Sequence, residues 1–224
     1  MIIAGREIKR LVASGCSFTY GQGVDPSESW PAQLAKLLDI ECVNLGLPGM
    51  GNEHIQSSII DYFASNPNAK NDTFVLPSFS AYSRVEFWNK QKMMQGYEVA
   101  KWTTIINSKD HSNFNKMFFE QMFNERYYYS RYVRIIISLQ SILKTWGIPY
   151  LMFEALSGNP HKEMLVHNDI RELVSEIDRN RWLRFAMGNL DTMTSLLERL
   201  PCGHPNAKAH AEMAEILYKH IINN

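Results

Sequence analysis

Residues 8–38 read as a β-strand, a glycine-flanked turn and a helix, and this unit constrains the fold more than any other stretch of the chain. Segment 8–13 mixes apolar and β-branched residues, Gly15, Gly21 and Gly23 punctuate the turn after it, and Ser29-Trp30-Pro31 leads into a helix-like run over 32–38. Further strand-like segments fall at 40–44, 73–77 and 148–153. Helical patterns fall at 53–64, 128–146, 169–176, 191–200 and 207–222. Parallel strands need crossover connections, so this alternation predicts a doubly wound parallel sheet with helices between its strands. With 224 residues, 45% of them hydrophobic, the chain has the length and apolar content for a single domain, 1–224, with a real core.

Residues 85–126 fit this scheme poorly. They are rich in Phe, Met, Trp, Asn and Lys without a clean period, and they separate the third strand from the next long helix. They read as an insertion that caps the active-site edge, with a plain helical elaboration of the crossover as the competing reading. Segment 155–190 is also irregular, with Trp182 and Phe185 as packing anchors.

Net charge is zero, which gives no global electrostatic case for nucleic acid or an anionic membrane as partner. Arg126, Arg131 and Arg134 lie among four tyrosines, a pattern read as the wet side of an amphipathic helix. The start of the chain lacks the long apolar core of a signal peptide, and no run could span a bilayer. Three cysteines, Cys16, Cys42 and Cys202, form neither a disulfide framework nor a metal-ligand spacing, and the histidines are scattered. These features predict a cytoplasmic protein without a bound metal.

Two places carry chemistry. Ser17, in Gly15-Cys16-Ser17-Phe18-Thr19, sits where α/β enzymes expose a nucleophile, at a strand's carboxyl end before a helix. Its backbone N–H would be one oxyanion donor, whereas a plain turn serine would only cap the helix. Cys16 is expected to point inward as a small hydrophobe. Near the other end, His204 in Gly203-His204-Pro205-Asn206 is the candidate base. Pro205 disfavours helix at position 204, and Asn206 suits the N-cap of the last helix. His210, on that helix, is read as structural.

Together these motifs resemble the SGNH, or GDSL-type, hydrolase superfamily, with its early Gly-Asp-Ser turn and its late Asp-x-x-His or Asp-x-His-Pro. The resemblance spans nearly the whole chain in order. It implies a flavodoxin-like three-layer α/β/α sandwich with a parallel sheet and a cap-like insertion. Gly49, in Asn44-Leu45-Gly46-Leu47-Pro48-Gly49, matches the glycine that supplies the second oxyanion donor. Three positions depart from the family pattern. Cys16 replaces the aspartate before the nucleophile. Ser80 (or Ser78) stands where an asparagine side chain completes the oxyanion hole, with Arg84 and Asn52 as substrate-binding groups nearby. Pro201 and Cys202 stand where the acid that orients the histidine belongs. A backbone carbonyl could orient His204 in a Ser–His dyad, or Glu154, after the fourth strand, could serve as a surrogate acid.

The resemblance implies hydrolysis of an ester, thioester or O-acetyl group on a small molecule or glycan, with no metal or organic cofactor. A binding or structural protein on a degenerate SGNH scaffold is the alternative, and an acyltransferase is a third. Some phage-encoded members share the Gly-Cys-Ser-Phe-Thr opening and the Ser-Trp-Pro after it, which suggests a viral origin.

Overall fold

The computed structural model describes residues 1–3, 5–88, 102–106, 113–156, 166–185, 189–194 and 199–223. The chain begins with an antiparallel ribbon of β1 (Ile2–Ile3) and β2 (Arg6–Glu7). There follow β3 (Arg10–Ser14), α1 (Ser17–Tyr20), α2 (Trp30–Leu38), β4 (Glu41–Asn44), α3 (Asn52–Ser65) and β5 (Thr73–Phe79). An antiparallel hairpin of β6 (Val85–Trp88) and β7 (Trp102–Ile105) precedes α4 (Asn113–Met117) and the long α5 (Glu125–Thr145). The chain closes with β8 (Phe153–Glu154), α6 (Asn168–Ser175), α7 (Leu190–Thr194) and α8 (Ala207–Ile222).

The central sheet has the order β4-β3-β5-β8 with every pairing parallel, as the alternation of elements implies. Side chains alternate across a strand, so neighbouring residues reach opposite layers. Leu11, Ala13, Phe74 and Leu76 pack with Trp30, Leu34 and Leu38 of α2 and with Met213 and Leu217 of α8. Val12, Val75 and Phe79 pack on the other face with Ile55, Ile59 and Phe63 of α3 and with Val133, Ile136 and Leu139 of α5. Coverage on both faces explains why β5 is buried throughout and reads as a continuous run rather than an alternation.

Strand boundaries differ from the sequence reading for identifiable reasons. β3 starts at Arg10 rather than at position 8, because Ile8 N bonds Met1 O in the terminal ribbon. The fourth strand, expected over 148–153, pairs as a ladder only at Phe153–Glu154, with a single Val75–Tyr150 bridge before it. Met152 turns its backbone to the other side, accepting from Leu183 N and donating to Arg181 O at 2.8 Å each. Residues 195–198 of the helix expected over 191–200 lie outside the described residues.

The hairpin and the turns after α4 gather Val85, Ile105 and Phe118 with Phe119, Phe123 and, from α5, Tyr128 into a small separate core. Two of the three arginines of α5 meet acidic side chains within the fold, Arg126 with Asp169 at 2.8 Å and Arg131 with Glu53 at 2.7 Å.

Phe153 is fully buried, with its ring centroid 5.6 Å from that of Trp30 and 5.5 Å from that of Phe185. Phe153→Ala is expected to cost about 3–5 kcal/mol, the transfer term plus the cavity. Urea unfolding checks this, and a loss under about 0.5 kcal/mol would mean that this layer of the core is not packed as described.

Candidate active site

The Ser17 turn grows from the end of β3. Cys16 is extended, with φ −87°, and its carbonyl accepts Thr19 N at 2.9 Å and Tyr20 N at 3.0 Å, which closes α1. Its thiol is buried, as expected for a residue that points inward. Ser17 is the first residue of α1 and is 5% exposed. Its N–H has no acceptor within so short a helix.

His204 is delivered to the same edge by a tight loop before α8. Gly203 N bonds Leu200 O at 2.8 Å, Leu200 N bonds His204 O at 2.9 Å, and Asn206 Oδ1 caps α8 by accepting Ala209 N at 2.9 Å. The imidazole centroid lies 5.7 Å from the ring of Phe18, the residue after Ser17. The two ends of the chain thus meet, although no hydrogen bond joins Ser17 Oγ to His204. Burial lowers the proton affinity of His204, the Cys202 carbonyl raises it, and the Arg199 and Arg84 charges lower it further, for a net shift below the ordinary histidine value. Nδ1 itself is enclosed without a hydrogen bond of normal geometry among the described residues. We therefore take the Cys202 carbonyl as a neighbour that polarises the ring rather than as a completed bond. His210 is buried, accepts Trp30 N at 3.2 Å through Nδ1, and is pushed down to about 4, chiefly by burial.

The loop after β4 carries Gly49 in the left-handed region, at φ 81°, which a side chain would strain. Asn52, the first residue of α3, is buried and brackets Ser80. Its Nδ2 donates to Ser80 O at 3.1 Å, and Ser80 N donates to its Oδ1 at 2.8 Å. The amide of Asn52 is thereby committed to the backbone. Ser78 Oγ and Ser80 Oγ are both buried without a hydrogen-bond partner among the described residues. Arg84 donates through Nη1 to Met50 O at 2.9 Å, beside Gly49.

Glu154 lies at the carboxyl end of β8, opposite Phe79, and its Oε1 accepts the Tyr132 hydroxyl at 2.9 Å. Among the described residues, the side-chain charges that act on His204 are those of Arg199 and Arg84, with no carboxylate among them. Two open clefts, of about 590 and 710 Å³, lie at the amino ends of the strands, beside Arg10 and Asp72 and beside Tyr150 and Arg181, away from Ser17.

Sequence reasoning missed Glu86. It is 4% exposed and accepts Gly51 N at 2.9 Å, Glu53 N at 2.8 Å and His54 N at 3.1 Å. The available signal was a charge inside the otherwise apolar Val85-Glu86-Phe87-Trp88. Burial, and then the hydrogen bond with Glu86, push the Glu53 carboxyl up to about 8, against the pull of Arg131. Burial and the shared hydrogen bond with Glu86 therefore favour a proton on Glu53.

The folded chain keeps that proton up to about 8, whereas an ordinary glutamate releases it near 4.5. The contribution to stability is therefore fully present below 4.5 and lost as pH rises through 8. Glu53→Gln, which mimics the protonated form, should flatten this decline in a series of thermal melts across the window. Equal slopes in the variant and the wild type would contradict the proton on Glu53.

The arrangement defines the class of protein: a parallel α/β sandwich with an early strand-end serine and a late histidine brought to one edge has the SGNH-hydrolase fold. Solved structures similar across nearly the full chain agree. A psychrotrophic esterase from Pseudoalteromonas sp. shares 14% identity over 96% of this chain and 100% of its own, with a TM-score of 0.57. A lipolytic protein of the G-D-S-L family from Veillonella parvula shares 14% over 96% and 99%, with a TM-score of 0.50. An acetylxylan esterase from Geobacillus stearothermophilus shares 13% over 96% and 95%, also with a TM-score of 0.50. The chain belongs to the family of unknown function DUF6071, whose model matches residues 22–223 and so begins after Ser17. No protein of curated function matches it. A phage origin finds no support in these likenesses. Among the described residues no helix is long and apolar enough to cross a membrane.

Proposed function

We propose that this chain is a serine ester hydrolase in which Ser17 is the nucleophile and His204 the general base. The observation that carries the reading is the half-buried His204 imidazole, its ring 5.7 Å from that of Phe18, the residue after Ser17, with burial lowering its proton affinity. In this scheme Nε2 removes the Ser17 Oγ proton as Oγ bonds to the acyl carbon, and the neighbouring Cys202 carbonyl polarises the ring. The carbonyl oxygen, now an oxyanion, meets the N–H groups of Ser17 and Gly49 and the Ser80 hydroxyl. A buried hydroxyl with no partner among the described residues is a donor kept for substrate. Collapse breaks the ester C–O bond, and His204 returns the proton to the departing alcohol. Water, activated by the same histidine, then releases the acyl group.

The substrates are esters of small molecules or glycans; of the insertion expected to cap the site at 85–126, residues 89–101 and 107–112 lie outside the described residues. Glu154 stays outside the machinery, because Tyr132 engages it and no carboxylate among the described residues bears on His204. The test is turnover of short p-nitrophenyl esters by the wild type beside Ser17→Ala. Equal weak rates in both would favour the second reading, a binding protein on an SGNH scaffold. That reading draws its support from the absence, among the described residues, of a carboxylate that orients His204.

A further inference from the structure

The peptide group that joins Met50 to Gly51 is held at both ends by one short segment. Its carbonyl accepts Arg84 Nη1 at 2.9 Å, and its N–H donates to Glu86 Oε1 at 2.9 Å. Through Oε2 the same carboxylate takes Glu53 N at 2.8 Å and His54 N at 3.1 Å. Gly51, the N-cap of α3, has no side chain with which to satisfy these donors, so Glu86 caps the helix from β6. A Cβ at Gly51 would fall 2.8 Å from Glu86 Oε2, and only glycine allows so close an approach. Such charge-assisted bonds are short and directional, and a carboxylate this enclosed has little freedom to shift. Gly49 stands just upstream of the clamped peptide, and Asn52, just downstream, brackets Ser80. Two of the three groups assigned to the oxyanion, Gly49 and Ser80, therefore hang on one laced pair of loops.

The geometry points to Arg84 and Glu86 as positioning residues that fix the Gly49 loop by clamping the Met50–Gly51 peptide. The inference rests on the hydrolase reading, in which Gly49 N–H faces the oxyanion. Neither side chain needs to touch substrate. Their effect is to keep a donor where the transition-state charge develops, and a displacement of about 1 Å there can cost 10²-fold in rate.

The test compares wild type with Glu86→Gln, Arg84→Met and Arg84→Lys, using p-nitrophenyl acetate turnover and amide hydrogen exchange over residues 49–54. Glu86→Gln keeps the size but can turn amide hydrogens toward N–H donors. Arg84→Met removes the hydrogen bond to Met50 and leaves the helix cap in place. In Glu86→Gln and Arg84→Met, kcat should fall about 10²-fold with KM changed less than about twofold, and exchange over 49–54 should quicken. Arg84→Lys should recover part of both. Unchanged kcat in folded Arg84→Met would overturn the positioning role, as would a rise in KM alone, which would put Arg84 on the substrate. If Glu86→Gln does not fold, the Met and Lys variants decide the matter by themselves. A wild type with no turnover would overturn the hydrolase reading and the catalytic role of the clamp with it. Exchange would still report whether the clamp holds the loop.

Discussion

Ser17→Ala is expected to lower kcat/KM for a short p-nitrophenyl ester by at least ~10³-fold while leaving the melting temperature near that of the wild type. The size follows from the chemistry: without Oγ no acyl-enzyme forms, and only the oxyanion donors and substrate binding remain to accelerate attack by water. The small effect on stability follows from the site. Ser17 Oγ takes part in no hydrogen bond among the described residues, and the turn is closed by the Cys16 carbonyl, which alanine leaves untouched. A variant that keeps most of its activity would remove Ser17 from the mechanism.

His204→Ala should cost a similar factor, because nucleophile and base act as a unit and their losses do not add. In the wild type, the acid limb of kcat/KM should fall below the ordinary histidine value of 6.5, since burial and two arginine charges outweigh the Cys202 carbonyl. A base must be neutral to accept a proton, so a lowered proton affinity extends activity toward acid. Glu154→Gln separates the dyad from a triad: its carboxylate meets the Tyr132 hydroxyl, so turnover should stay within about threefold. A fall of several orders of magnitude would make Glu154 the orienting acid, whereas an acid limb above 6.5 would mean that a carboxylate stabilises the imidazolium.

The parallel sheet was legible because its signals are local. The apolar run at 73–77 and the glycine-punctuated turn after 8–13 each fix an element within a few residues of sequence. The fourth strand was blurred because Met152 pairs with segment 181–183, a partner no local pattern names. Phe118 and Phe123 were read only as part of a segment without a period, since the small core they form with Tyr128 takes its order from ring packing rather than from an amphipathic repeat. At the site, Ser17, His204 and Gly49 were visible because turns require particular residue types. Glu86 left only the signal of a charge in an apolar run, because its role depends on three backbone N–H groups more than thirty positions away. Asn52 was legible as a position but not as a role, since the sequence does not reveal that its amide faces Ser80.

Covalent labelling tests most directly whether Ser17 is a nucleophile activated by His204, and it needs no assumption about the substrate. The folded protein would be incubated with an alkyl fluorophosphonate at neutral pH, and the product read by intact mass and peptide mapping. A single adduct on Ser17 is expected, absent from Ser17→Ala and formed far more slowly in His204→Ala. A folded wild type that takes no label, or a label that persists in Ser17→Ala, would contradict that role for Ser17.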